Sequence, residues 1–288
     1  PFHRDGTIDF ESAGRLYDHL AANDMDGVLI GGSLGEFFGQ TLAQREALAR
    51  FATERIAGRM KVIIGTANMI AEEIAPLSNT CLEAGADAVM IVPPFYFSFG
   101  DSEMYRFYSR MAREIHGPVY IYNFPDRTGY TISPSVVRRL AVENENIIGI
   151  KDTIAGMDHT RELIKSVKPV RPVFEIYSGL DDNFAHNALS GGDGSICGLS
   201  NLIPGVCTDW VKAINAGNME QACLLQQKIN RCMDIYFIGS PFVPYIKEAV
   251  RQCGIIESAK STFPMPDLEE ADQEKVHAFL VREGILPV

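Results

Sequence analysis

Seven short apolar runs, separated by stretches with helical spacing, constrain this chain more than any single motif does. The runs lie at 27–30, 61–65, 88–92, 119–122, 147–151, 174–178 and 194–197. Helical patterns occupy 9–22, 41–56, 70–84, 102–115, 133–143, 158–168 and 184–190, so strand and helix alternate throughout. Such alternation predicts parallel strands joined by right-handed crossovers, because a parallel neighbour can only be reached by a long return connection. Local chemistry agrees. Thr41-Leu42-Ala43-Gln44 is a capping box, and Ser133-Pro134 puts a cap before proline at the first helical position.

The chain opens on Pro1-Phe2-His3-Arg4-Asp5-Gly6, which reads as the loop between a strand and the first helix. A strand preceding Pro1 raises the count to eight and closes a (β/α)8 TIM barrel, the α/β class expected here. A doubly wound open sheet is the alternative, but no glycine-rich dinucleotide turn follows a first strand. From about Pro204 the pattern is purely helical, with further helices expected at 219–236, 241–253 and 273–283. Residues 1–216 are therefore expected to build the barrel, and 217–288 a C-terminal helical extension packed on it within one domain unit.

Composition removes several function classes. A formal net charge of −11 argues against non-specific nucleic-acid or anionic-membrane binding, while leaving an anionic small molecule open. The six cysteines show no C-x-x-C spacing and read as reduced residues. No apolar run approaches the roughly 20 residues that span a bilayer, and no signal peptide is evident, so a soluble cytoplasmic protein is expected. The six histidines are dispersed, which predicts no metal site. Serine–histidine–aspartate catalysis lacks a G-x-S-x-G elbow.

Functional side chains of such barrels sit where strands end. Lys151 closes Ile147-Ile148-Gly149-Ile150-Lys151, a charged amine at the end of an apolar strand. A period of two puts Ile147, Gly149 and Lys151 on one face, with Gly149 leaving space below the lysine stem. Tyr122 ends the preceding strand at the same height, about 4.8 Å away if the two strands pair. Desolvation disfavours the charged form of a lysine, and about 1.4 kcal/mol of it raises the ratio of neutral to charged amine tenfold. A lysine so placed is a candidate nucleophile toward a ketone, with a phenol alongside to move protons. Gly32-Ser33-Leu34-Gly35 is a tight turn whose N–H groups suit a carboxylate, and Arg127 is a candidate for a second acidic or hydroxyl group. Gly191-Gly192-Asp193-Gly194 precedes a strand, lies at the opposite end, and reads as a turn. Asp181-Asp182 could bind a cation, but one of them is expected to serve as a helix N-cap instead.

Together these motifs resemble the dihydrodipicolinate synthase / N-acetylneuraminate lyase family of class I, pyruvate-handling aldolases. The likeness rests on G-S-x-G-E around Ser33, Y-N-x-P-x-x-T-G from Tyr122, and G-I-K-D around Lys151, and runs from Pro1 to about Cys253. The resemblance implies Lys151 as Schiff-base lysine, Tyr122 as proton relay and Ser33 as a hydroxyl feeding that relay. It implies that the Ser33 and Leu34 N–H groups, next to Gly32, hold the pyruvate carboxylate, and that the Ile196 carbonyl is a further contact. Tyr96 matches a tyrosine that reaches into a neighbouring subunit's site, which implies a homo-oligomer, dimer or tetramer. No cofactor beyond the covalent imine is implied.

Within the family, Gly32-Ser33-x-Gly35-Glu36-Phe37 and Lys151-Asp152-Thr153-Ile154 look most like the 2-keto-3-deoxygluconate aldolases. That implies a lyase that makes or breaks a C–C bond of a 2-oxo acid, with pyruvate and an aldehyde as partners. Arg127 instead matches the arginine of dihydrodipicolinate synthases, and Gly31-Gly32-Ser33 is shared with N-acetylneuraminate lyase. Leu34 stands where the synthases keep a second threonine, which favours a 2-keto-3-deoxy sugar acid, cleaved or dehydrated. A non-catalytic keto-acid sensor on the same barrel is a further alternative, supported by Leu34 alone.

Overall fold

The computed structural model describes residues 1–287. Its sheet contains β1 (Gly27–Ile30), β2 (Lys61–Gly65), β3 (Ala88–Ile91), β4 (Val119–Asn123), β5 (Ile147–Asp152), β6 (Glu175–Ser178) and β7 (Gly194–Ser195). Their spatial order is their chain order, and every pairing from β2 to β7 is parallel. Sequential parallel strands with a helix in each crossover are the TIM-barrel arrangement, and all seven expected strands are present.

The described chain forms two compact units that interleave along the sequence. One comprises residues 28–38 and 61–197; the other comprises 1–27, 39–60 and the residues from 198 onward. The expected division at 216/217 falls inside the second of these.

In the first unit the strands sort their side chains by pleat. Ala88, Met90 and Val92 join Ala67, Tyr120 and Tyr122 in one buried cluster, with Leu29, Ile148, Tyr177 and Ile196 packed against it. Val89, Ile91, Ile121, Ile150 and Ile176, at alternate positions, are completely buried as well. Strands covered on both faces are what a parallel sheet with flanking helices requires. One irregularity matters for the site. Val119 pairs with Ile147 but Tyr120 pairs with Gly149, so Ile148 is an extra residue in a bulge. Ile148 therefore joins the cluster of Tyr120 and Tyr122, and the simple alternation expected for Ile147, Gly149 and Lys151 fails at its first member. The space expected beside Gly149 is also not empty. The Tyr120 ring lies where a side chain would go, 2.6 Å from an added Cβ.

The second unit is held by helix packing and by salt bridges. Phe10 meets Phe51 at 5.1 Å, and Arg59 reaches Asp18 at 2.7 Å, tying helix Phe10–Ala22 to the region of Leu42–Ile56. The Thr41 capping box forms as expected, with both reciprocal bonds present. Other helix bounds differ in detail. The stretch expected at 70–84 divides into a 3-10 turn, Ala71–Glu73, and a helix, Ile74–Glu83. The helix expected at 219–236 ends at Cys232 and continues as a 3-10 turn, Met233–Phe237. Asp181 and Asp182 lie within a 3-10 turn, Asp181–Asn183, and Asn183 occupies the N-cap of the following helix instead.

Candidate active site

The carboxyl ends of β1, β4 and β5 supply the central residues. Tyr122 and Lys151 are direct partners in the β4–β5 register. Both are buried, and the Lys151 Nζ lies 4.4 Å from the centre of the Tyr122 ring. The amine thus points toward the interior cluster that contains Tyr122. Phe124 stacks on Tyr122 at 5.8 Å and 17°, which fixes the plane of the phenol.

Burial opposes ionisation of the Tyr122 phenol. The positive charge of Lys151 and the hydroxyls of Ser33 and Thr153 outweigh it, so the pKa falls below the ordinary tyrosine value. Ser33 is therefore near the phenol, as its place in the turn after β1 suggests. Thr153 is a residue that sequence reasoning misses, although it directly follows the lysine and aspartate of the motif. Its hydroxyl is buried beside the Tyr122 phenol and helps to favour the phenolate.

The turn after β1 is shaped by glycines at two positions. Gly31 has φ +71°, a conformation that side chains resist. An added Cβ on Gly65 of β2 would collide with the Gly31 carbonyl, so the two backbones touch directly. Gly31 and Gly32 of this turn line a narrow apolar cavity with Leu29, Phe37, Gly65, Ala67, Met90, Val92 and Tyr122.

Ile196 follows β7, donates its N–H to the Ser178 carbonyl at 2.9 Å, and packs its side chain on the interior cluster. Arg127 is solvent-exposed on a helical turn, Pro125–Thr128, with its guanidinium 5.2 Å from the Phe124 ring. It is joined to the central pair through Phe124 and Tyr122 rather than by direct contact. Tyr96 is 79% exposed and packs edge-on against Phe97 at 5.0 Å. Phe95, Met69 and Ile70 are exposed beside them in the same unit, with the Phe95 N–H 3.5 Å from the Met69 sulfur. The glycine turn at 191–194 is structural, because Asp193 accepts from the Ile176 N–H at 2.7 Å and pairs with Lys168. Among the described residues, no group of three or more His, Cys, Asp or Glu side chains is arranged to hold a metal ion. No helix among them is long and apolar enough to cross a membrane.

Comparison with known proteins sets this geometry in context. The profile of the Dihydrodipicolinate synthetase family matches residues 1–283. An Escherichia coli (strain K12) protein named "Probable 2-dehydro-3-deoxy-D-pentonate aldolase YjhH" is 37% identical over 287 residues, covering 100% of this chain and 95% of its own. A 4-hydroxy-tetrahydrodipicolinate synthase of Kosmotoga olearia is 33% identical, covering 97% and 94%. Among solved structures, YagE, a prophage protein of the dihydrodipicolinic acid synthase family from E. coli K12 in complex with pyruvate, superposes with a TM-score of 0.96. It is 34% identical, covering 99% of this chain and 96% of that one.

Proposed function

Because this chain belongs to the dihydrodipicolinate synthetase family and is a lyase of it, we propose that it releases pyruvate from a 2-keto-3-deoxy sugar acid through an imine on Lys151. The observation that carries this reading is the Lys151 amine held over the buried Tyr122 ring at 4.4 Å. The similarity to YjhH, whose name specifies a 2-dehydro-3-deoxy-pentonate, supports the substrate class.

The chemistry follows from these groups. The neutral amine of Lys151 adds to the C2 ketone, and loss of water gives the imine. The imine nitrogen, protonated, then draws the C3–C4 bonding electrons toward itself. Tyr122, whose phenol ionises more readily than an ordinary one, accepts the C4 hydroxyl proton as that bond breaks and an aldehyde departs. The remaining enamine takes this proton at C3 from Tyr122, which returns to its ionised form. Water then hydrolyses the pyruvate imine, restoring the water lost earlier and freeing the lysine. Ser33, one of the hydroxyls that favours the phenolate, completes the proton path. The N–H groups of Ser33 and Leu34, beside Gly32, hold the substrate carboxylate, and the Ile196 carbonyl contacts the substrate. The covalent imine takes the place of a cofactor.

Borohydride reduction in the presence of pyruvate, followed by mass spectrometry, will leave a stable adduct on Lys151. An unlabelled Lys151 under conditions that trap a known class I aldolase removes the reading. A panel of 2-keto-3-deoxy acids assayed for pyruvate release then identifies the substrate.

A second reading, condensation of pyruvate with aspartate semialdehyde, is favoured by Arg127 and by the Kosmotoga olearia relative. Turnover with that aldehyde no faster than with glyceraldehyde excludes it. Tyr96, exposed and flanked by other exposed aromatics, is read as completing the site of a second copy in a dimer or tetramer. An active monomer in analytical ultracentrifugation overturns that part.

A further inference from the structure

Lys151 points into the barrel, and the next residue, Asp152, belongs to the opposite face of β5. Its side chain is completely buried. Asp152 is also the register partner of Asn123, so this pair stands one residue beyond Tyr122 and Lys151 on the reverse side of the same two strands. The reaction derived above makes no use of it.

A closed ring of hydrogen bonds surrounds the carboxylate. Asn123 Nδ2 donates to Asp152 at 2.7 Å, and the Ile132 N–H donates to Asn123 Oδ1 at 3.0 Å. The His159 Nδ1 lies 3.0 and 3.1 Å from the two Asp152 oxygens, while its Nε2 lies 3.0 Å from the Ile132 carbonyl. Thr160 adds a donor to Asp152 at 2.6 Å. The ring thereby links β4, β5, the segment before helix Pro134–Glu143, and the first turn of helix Asp158–Val167.

Protonation follows from the partners. A carbonyl only accepts, and an ionised carboxylate only accepts. Asp152 already accepts from the Asn123 amide at one oxygen and from the Thr160 hydroxyl at the other. Both imidazole nitrogens must then be donors, or one of the two contacts sets lone pair against lone pair. The charged groups acting on the ring are Asp152 from β5 and Asp158 from its own helix, together with the Ile132 carbonyl. Burial opposes the charge, yet these groups outweigh it, and the imidazole pKa is raised.

We infer that His159 is a positioning residue: an imidazolium that clamps Asp152 and so holds Lys151 at its reactive distance from Tyr122. The clamp acts through the strand pairing, because Asn123 and Asp152 cannot shift without carrying their neighbours along. Charge-assisted bonds of this kind are shorter and roughly twice as strong as neutral ones. A reacting amine displaced by about 1 Å loses on the order of a hundredfold in rate.

This inference rests on the Schiff-base reading for what is being positioned, and two measurements separate them. Nitrogen-15 NMR of the intact protein near neutral pH, with His159 assigned by its loss in His159→Gln, should show both ring nitrogens protonated. Borohydride trapping with pyruvate should label Lys151 in His159→Gln about tenfold or more slowly at saturating pyruvate, with the half-saturating concentration changed by less than about threefold. A singly protonated His159 ring overturns the clamp, and so does labelling of the variant at the unaltered rate. If the glutamine variant does not fold, the nitrogen spectrum of the unaltered protein, assigned through Asp152→Asn, decides alone. If the unaltered protein is not labelled at all, the Schiff-base reading fails and the positioning role falls with it, while the spectrum still reports the ion pair.

Discussion

Gly65 and Gly31 touch backbone to backbone, and on that contact depends where Ser33 stands. A side chain at position 65 would occupy the space of the Gly31 carbonyl. The turn carrying Gly32, Ser33 and Leu34 starts at Gly31, whose positive φ already limits how it can move. Gly65→Ala is therefore expected to destabilise the fold by about 1–3 kcal/mol through overpacking. Urea unfolding measures this, and in the same variant the rate of pyruvate trapping on Lys151 should fall as Ser33 is displaced.

Tyr122→Phe keeps the ring that stacks on Phe124 and faces the Lys151 amine, and removes only the hydroxyl. Stability should change little, while turnover should drop by about 10²–10⁴, the range of a lost general acid–base group. Steady-state kinetics alongside a thermal melt separates the two effects. A loss confined to stability contradicts the relay role.

The pairing of His159 with Asp152 gives stability a defined pH dependence. The imidazole pKa is raised in the folded chain, so protonated His159 stabilises the fold. That contribution is complete below the unfolded histidine value of about 6.5. It is lost as pH rises through the higher folded value. The unfolding free energy of the unaltered protein should therefore exceed that of His159→Gln most at about pH 6, with the gap narrowing toward about pH 9. Urea titrations at the two pH values provide the check.

Gly149 is filled by its neighbour. The Tyr120 ring occupies the place of its missing side chain and donates its hydroxyl to Glu175, which also accepts from Tyr177 at 2.9 Å. Burial raises the pKa of both phenols and keeps them as donors, reinforced by the hydrogen bond to Glu175 at Tyr120 and by the Glu175 charge at Tyr177. Gly149→Ala should push Tyr120 off this carboxylate and cost about 1–3 kcal/mol. A denaturation midpoint unchanged from the parent would show that the ring moves aside freely.

Much of the fold can be read before any coordinates are known, because the information is local. Each apolar run needs only its own residues to form a strand, and Thr41 and Ser133 cap helices within their own first turns. The bulge at Ile148 is different. Ile147, Ile148 and Ile150 are equally apolar, so nothing in their chemistry says which one slips out of register. That depends on Tyr120, far earlier in the chain, which needs a glycine opposite it.

The site divides along the same line. Lys151, Tyr122 and Ser33 can be picked out because each ends or follows a strand, where the alternating pattern breaks. His159 offers no such signal: it is one of six scattered histidines, and an ordinary residue in the first turn of a helix. Its meaning comes from Asp152 and Ile132, which the sheet and a loop bring to either side of its ring. The amino-acid order thus determined the strands, the helices and the candidate lysine, since short-range periodicity and residue chemistry suffice for those. Tertiary structure alone decided register, the filling of the space at Gly149 and the pairing of His159, because each depends on contacts between residues far apart in the chain.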